Sequence, residues 1–233
     1  MKRKAKNIMD IRIFVAAHKH FHNIATEEIY LPLQVGREGK EDLGYLTDHT
    51  GQNISHRNAN YCELTGLYWM WKNISCDIIG LCHYRRYLVH DEKILTKAYI
   101  QEKMEQYDMI LPNSSMSRYL NEYEHYCDKH MQKDLECCHE VIKERYPQYE
   151  TAFLWTLSSN LISLGNIIIT KKDILDAYCV WLFDILFEVD KRTDLREYDD
   201  YQKRIFGFLS ERLLRVWVMM QRYHVLEENV KCF

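Results

Sequence analysis

Two rhythms of apolar residues run through this chain. Short runs rich in β-branched and aromatic side chains predict strands. They are Ile11 to Ala17, Leu31 to Gly36, Ile78 to Cys82, Tyr107 to Pro112 and Leu164 to Thr170. Between them, apolar positions recur at helical spacing. Asn60 to Asn73 carries Leu64, Leu67, Tyr68 and Trp71 on one face, and Asn60 with Glu63 reads as a variant capping box at its start. Thr96 to Tyr107 and Leu120 to Tyr146 read as polar helices, the second holding His125, His130 and His139 as surface or interhelix residues. Lys172 to Arg192 is strongly amphipathic, with Leu175, Tyr178, Cys179, Leu182, Phe183, Leu186 and Phe187 on its apolar side. A last helix carries Leu213, Leu214, Trp217 and Met220 and runs to about Tyr223. Helix alternating with strand predicts an α/β fold: a mixed, mostly parallel sheet flanked by helices, with a helical C-terminal part. No internal repeat or linker divides the sequence, so residues 1–233 are expected to form one domain, preceded at 1–10 by a flexible basic tail that includes Met1 to Lys6.

The stretch that organises the rest is Asp77 to Tyr87. Its apolar run changes within one step to His83, Tyr84, Arg85 and Arg86. Ligands of open α/β sheets bind outside the carboxyl ends of the strands, so this cluster marks an expected site. Two adjacent guanidiniums supply fixed donors and no acceptor charge, which suits phosphate or carboxylate. The first strand also ends in basic residues, His18 and Lys19, and would add them to the same crevice if the two strands are neighbours. The competing reading pairs Arg85 and Arg86 with structural acids. The long polar segment from Gly39 to Asn60 is expected to be a loop, with Asp48, Asn53, Ser55 and Asn58 as polar candidates for binding or as ordinary turn formers.

Composition narrows the partner. The net charge of −3 argues against nucleic acid, so an anion site must be local. Eight cysteines show no paired CxxC knuckles, and the vicinal Cys137 and Cys138 with no secretory signal suggest free thiols in a reducing cytosol and no metal framework. No apolar stretch is long enough to span a bilayer. Trp217, Val218, Met219 and Met220, together with Arg215 and Arg222, are expected to pack in the core, with peripheral contact to a membrane or to an assembly partner as the alternative.

The runs LPLQVG, DLGYLTDHTGQNIS, YCELTGLYWMWKN, GLCHYRRYL, YCVWLFDILFEVDKR and YQKRIFGFLSERLLRVW resemble those of the bacterial capsular and exopolysaccharide glycosyltransferases long catalogued as a domain of unknown function. The resemblance covers nearly the whole chain. It implies a single GT-A-like domain; with the free thiols and the last helix, the expected place is the cytoplasm, with association at the inner face of the membrane as the alternative. The activity it implies is transfer of a hexose, galactose or galactofuranose, from a UDP-sugar to a hydroxyl of a glycan or lipid-linked glycan. Many GT-A enzymes hold a metal with an Asp-x-Asp at the position where Cys82 to Arg86 stand here, so His18, Lys19, His83, Arg85 and Arg86, with Asn53 and Asn58, are expected to bind the diphosphate without a metal or other cofactor. An inverting transfer needs a carboxylate base. Glu211, at an expected helix start, resembles the Gly-Glu-Asp region of some GT-A enzymes, although Arg212 replaces its second acid; Asp199 and Asp200 are the alternatives. Tyr84, Glu63, Asn166 and Arg204 are the expected sugar or acceptor contacts. The alternative function is a non-catalytic nucleotide-sugar-binding module or a structural partner in polysaccharide assembly.

Overall fold

The computed structural model describes residues 9–163 and 165–233; the expected tail Met1 to Lys6, and Leu164 at the head of the fifth predicted strand run, lie outside the described residues. In chain order the elements are β1 (Ile11–Ala17), β2 (Tyr30–Gln34), β3 (Leu46–Thr47), α1 (Asn58–Tyr61) and α2 (Leu64–Asn73). Then follow β4 (Ile78–His83), β5 (Arg86–His90), β6 (Lys93–Ile94), α3 (Lys97–Lys103), β7 (Met109–Pro112) and β8 (Ser115–Met116). The remainder is α4 (Glu122–Lys129), α5 (Gln132–Arg145), α6 (Glu150–Ser158), β9 (Leu161–Ile162), β10 (Ile168–Lys171), α7 (Lys172–Arg192), α8 (Ile205–Met219) and β11 (Val225–Cys232).

Among the described residues, nine strands form one sheet in the order β3-β2-β1-β4-β10-β7-β11-β5-β6, and β8 and β9 pair separately. The pairings make β10 and β5 run against the other seven strands, so the sheet is mixed and mostly parallel. Strand periodicity divides the core into two layers. Phe14 and Ala16 of β1, with Ile79 and Leu81 of β4, face α2, α7 and α8; Ile13, Val15 and Ala17, with Ile78 and Cys82, face the opposite layer with Ile100 of α3 and Met104 just after it. Gly80 lets three strands close up: a Cβ there would stand 2.7 Å from Ile13 Cδ1 and 3.0 Å from the Ile168 carbonyl oxygen. The long helix α7 has the bounds its periodicity predicts, and Phe183 on it stacks on Trp71 of α2 with the ring planes 3° apart.

Four expectations need correction. The helix expected from Asn60 is broken in two: α1 ends at Tyr61, Cys62 takes φ +51°, and α2 starts at Leu64. No side chain caps α2, and Asn60 instead donates to the Lys203 carbonyl, because the kink turns α1 toward the segment before α8. The Gly39 to Asn60 loop contains β3 and the start of α1. The polar cluster after β4 is the turn of a hairpin that continues into β5, with His83 opposite Arg86. Finally, the C-terminal part is not all helical. α8 stops at Met219, and β11 inserts between β7 and β5. Its charges hide it from a periodicity argument; Glu227 pairs with Arg215, Lys231 with Glu92, and the nearly buried Glu228 with His90.

Candidate active site

β1 and β4 pair in parallel with Ala16 opposite His83, so both leave the sheet at the same end. The backbone N–H of Tyr84 donates to the Ala16 carbonyl at 3.1 Å, and the His18 ring packs edge-on against Tyr84 at 5.5 Å. The juxtaposition expected from the two basic strand ends is therefore present. Tyr84 is nearly buried and serves as a platform, with the Arg85 guanidinium 5.0 Å and the Lys19 ammonium 5.9 Å from its ring centre.

A cleft of about 450 Å³ opens over these strand ends. His18, His83, Arg85, Asn58, Glu63 and Arg204 line it, joined by Cys62, Asp200 and Lys203. Among the described residues neither Arg85 nor Arg86 forms a direct ion pair, although Arg86 lies close enough to Glu211 to act on its charge. The concentration of positive charge is visible in its effect on the histidines. Burial first, then Arg85, Arg86, His18 and Arg204, push His83 down to about 4. Burial also lowers His18, helped by Lys19, Arg85, Lys40 and Arg204. At neutral pH both imidazoles are uncharged donors or acceptors among fixed cations.

Behind Glu63 of the cleft wall lies a carboxylate cluster organised by Asn166; neither Asn166 nor Glu211 lines the cleft itself. The Gly165 turn, at φ +90°, brings Asn166 against α8. There its Nδ2 donates to Glu63 Oε1 at 2.8 Å and to the Gly207 carbonyl at 3.3 Å, while its Oδ1 accepts from the Ser210 hydroxyl at 2.7 Å. Glu211 is seven residues into α8 and not at its start, so a helix N-terminus does not explain it. Its side chain is 16% exposed. Oε1 accepts from the Gly165 backbone N–H at 2.7 Å and Oε2 from Arg212 Nη1 at 2.9 Å. Burial foremost, and Glu63 with it, raise the Glu211 carboxyl above the usual carboxylate range, with Arg212 and Arg86 acting against them. A Cβ on Gly165 would stand 3.9 Å from Arg86 Nη1, which puts this arginine beside the turn that holds Glu211.

Other candidates fall elsewhere. Asp200 lines the cleft fully exposed and meets Lys203 at 3.4 Å; Asp199 accepts from the Gln202 backbone N–H just ahead of a short 3-10 turn. Asn53 forms a local turn with Gly51 and Ser55 and does not line the cleft. Asp48 is fully buried and structural, accepting from Gly36, Arg37 and Ser55. Asn58 bridges the cleft wall, donating to the Cys62 carbonyl and accepting from Lys40. Cys62, Lys203 and Lys40 escape a motif reading; only the basic pair before FGFLSER signals one of them. Trp217 is buried, which leaves Met219 at the end of α8 and Met220 just after it as the exposed apolar residues there. No helix among the described residues is long and apolar enough to cross a membrane.

A family model described as "Domain of unknown function (DUF4422)" matches residues 12–222. The chain belongs to this family. No curated protein matches it. A solved structure, "WbbM bifunctional glycosyltransferase apo structure", superposes on this DUF4422 chain with a TM-score of 0.86 at 28% identity, covering 96% of this chain and 45% of that one. The DUF4422 chain thus spans less than half of that enzyme's length, and its mixed α/β fold is found within a glycosyltransferase.

Proposed function

We propose that this protein is a glycosyltransferase that moves a hexose, galactose or galactofuranose, from a UDP-sugar to a hydroxyl of a surface glycan such as a capsule, exopolysaccharide or O-antigen chain. The observation that carries the reading is the pair of cations Arg85 and Arg86, without an ion pair among the described residues, at the β4–β5 hairpin, where Arg86 stands beside the Gly165 turn that holds the largely buried Glu211 of α8. The likeness to part of a bifunctional glycosyltransferase points the same way.

In the proposed reaction the acceptor oxygen forms a bond to the anomeric carbon while the bond to the diphosphate oxygen breaks. Glu211, with its raised proton affinity, takes the hydroxyl proton, and the configuration inverts. The charge developing on the leaving diphosphate falls to Arg85 and Arg86, with Lys19, His18 and the neutral His83 around it. Fixed guanidiniums aimed at that charge do the electrostatic work of a divalent ion, so no metal is required. Glu63, Asn166, Arg204 and the rim of the cleft hold the sugar or acceptor.

Calorimetric titration with UDP, with chelator and with magnesium, tests the reading. Binding that persists in chelator and is lost in Arg85→Ala is expected, followed by transfer from UDP-galactose or UDP-galactofuranose. Binding only with magnesium overturns the metal-free step; no binding moves the chain to the assembly-partner alternative.

A further inference from the structure

Behind Glu211 stands a charged group that the reaction above leaves unused. Arg212 is 3% exposed, and its guanidinium is shared: Nη1 donates to Glu211 Oε2 at 2.9 Å, and Nε stands 2.6 Å from Glu122 Oε1. Glu122, in the first turn of α4, is 4% exposed and pairs through its other oxygen with His125 Nδ1 at 3.1 Å. His125 in turn lies 3.4 Å from Arg212 Nη2. Tyr126 closes the group from α4, its ring 5.1 Å from the guanidinium carbon.

Burying two carboxylates and a guanidinium costs several kcal/mol per ion before the attractions between them are counted. A helix contact alone needs no such group, since apolar residues of similar volume do as well or better. What the arrangement achieves is geometric and electrostatic. With one oxygen on the Gly165 N–H and the other on Arg212, the Glu211 carboxylate has one orientation. A guanidinium given wholly to Glu211 would stabilise its charged form and weaken it as a base. Divided with Glu122, the same guanidinium aligns the carboxylate with less of that penalty.

We propose that Glu122 is a positioning residue for Glu211: held by His125, it draws off part of the Arg212 charge and fixes the guanidinium so that the Glu211 carboxylate is oriented and remains basic. The inference rests on the reading of Glu211 as the base. Arg212 on α8, Glu63 before α2, Cys62 in the kink after α1, Arg86 on β5 and the Gly165 N–H are the groups that face Glu211, and all but Arg212 lie outside the proposed cluster.

Carbon-13 titration of the Glu211 carboxyl in the full chain tests it without a substrate, the signal being assigned by its loss in Glu211→Gln. In Glu122→Gln the guanidinium, still anchored on the Phe208 carbonyl, loses its second carboxylate and its charge acts more fully on Glu211, whose titration midpoint is expected to fall by about one pH unit. The acidic limb of the UDP-galactose rate profile is expected to follow, with kcat reduced and the donor KM kept. Should the Gln variant not fold, Glu122→Asp keeps the charge at shorter reach and is expected to lower kcat in the same way. An unmoved midpoint and rate profile in a folded Glu122 variant, with Glu211→Gln inactive, overturns the positioning role and leaves the base in place. Full activity of Glu211→Gln instead overturns the base, and the inference with it.

Discussion

Glu63 accepts a hydrogen bond from Asn166 Nδ2 at 2.8 Å across 103 residues of sequence, and this contact joins the kink between α1 and α2 to the turn before β10. Through Ser210 and the Gly207 carbonyl the same amide grips α8, so the elements carrying both site glutamates meet at one side chain.

Asn166→Ala is therefore expected to unfold at lower denaturant, by about 2 kcal/mol, because it strands buried partners as well as removing their bonds. Asn166→Asp should be worse, since it places a carboxylate against Glu63. Urea titration compares the two, and equal stability of both variants with the parent would contradict the bridging role.

Arg85→Gln and Arg86→Gln remove charge that no direct ion pair among the described residues takes up. Each is expected to weaken UDP binding by roughly 10- to 100-fold, as the loss of a charge-assisted hydrogen bond does. Stability should stay within about 0.5 kcal/mol, as for other surface changes. Calorimetry and thermal melts separate the two effects; a large drop in melting temperature would show that the arginines are structural.

Gly36 takes φ +63°, and a Cβ there would stand 2.2 Å from Asn58 Cγ. Gly36→Ala is expected to cost about 1–3 kcal/mol from the left-handed backbone and the clash together. It should also weaken UDP binding by displacing Asn58 from the cleft wall. A stable variant with unchanged affinity would argue against this contact.

His83 and His130 are both held near 4, burial being the first cause in each, against an ordinary value of 6.5. Below pH 6.5 the unfolded chain takes up protons that the folded chain refuses, until about pH 4. Stability contributed by the neutral rings is thus complete above 6.5 and is lost as pH falls toward 4. His83→Asn is expected to flatten that fall by ~1–3 kcal/mol relative to the parent. Parallel curves for the two proteins, from urea midpoints measured at each pH, would rule it out.

Local pattern determined much of this protein. The runs of β1, β4 and β7, the full extent of α7 and the basic ends of β1 and β4 are all legible, because each depends on residues adjacent in sequence. The site's cationic half follows from them: a parallel pair of strands delivers both ends to one edge. Tertiary structure decided the rest. Nothing local marks β11, whose charges are satisfied by Arg215 of α8, His90 of β5 and Glu92 in the turn after β5. Nothing local moves Glu211 from a helix start to the wall of a buried charge cluster. Its raised proton affinity arises from burial and from Glu63, and its orientation from Gly165 and Arg212. Desolvation and Coulomb energy depend on distances through space, and those exist only once the chain has closed around them.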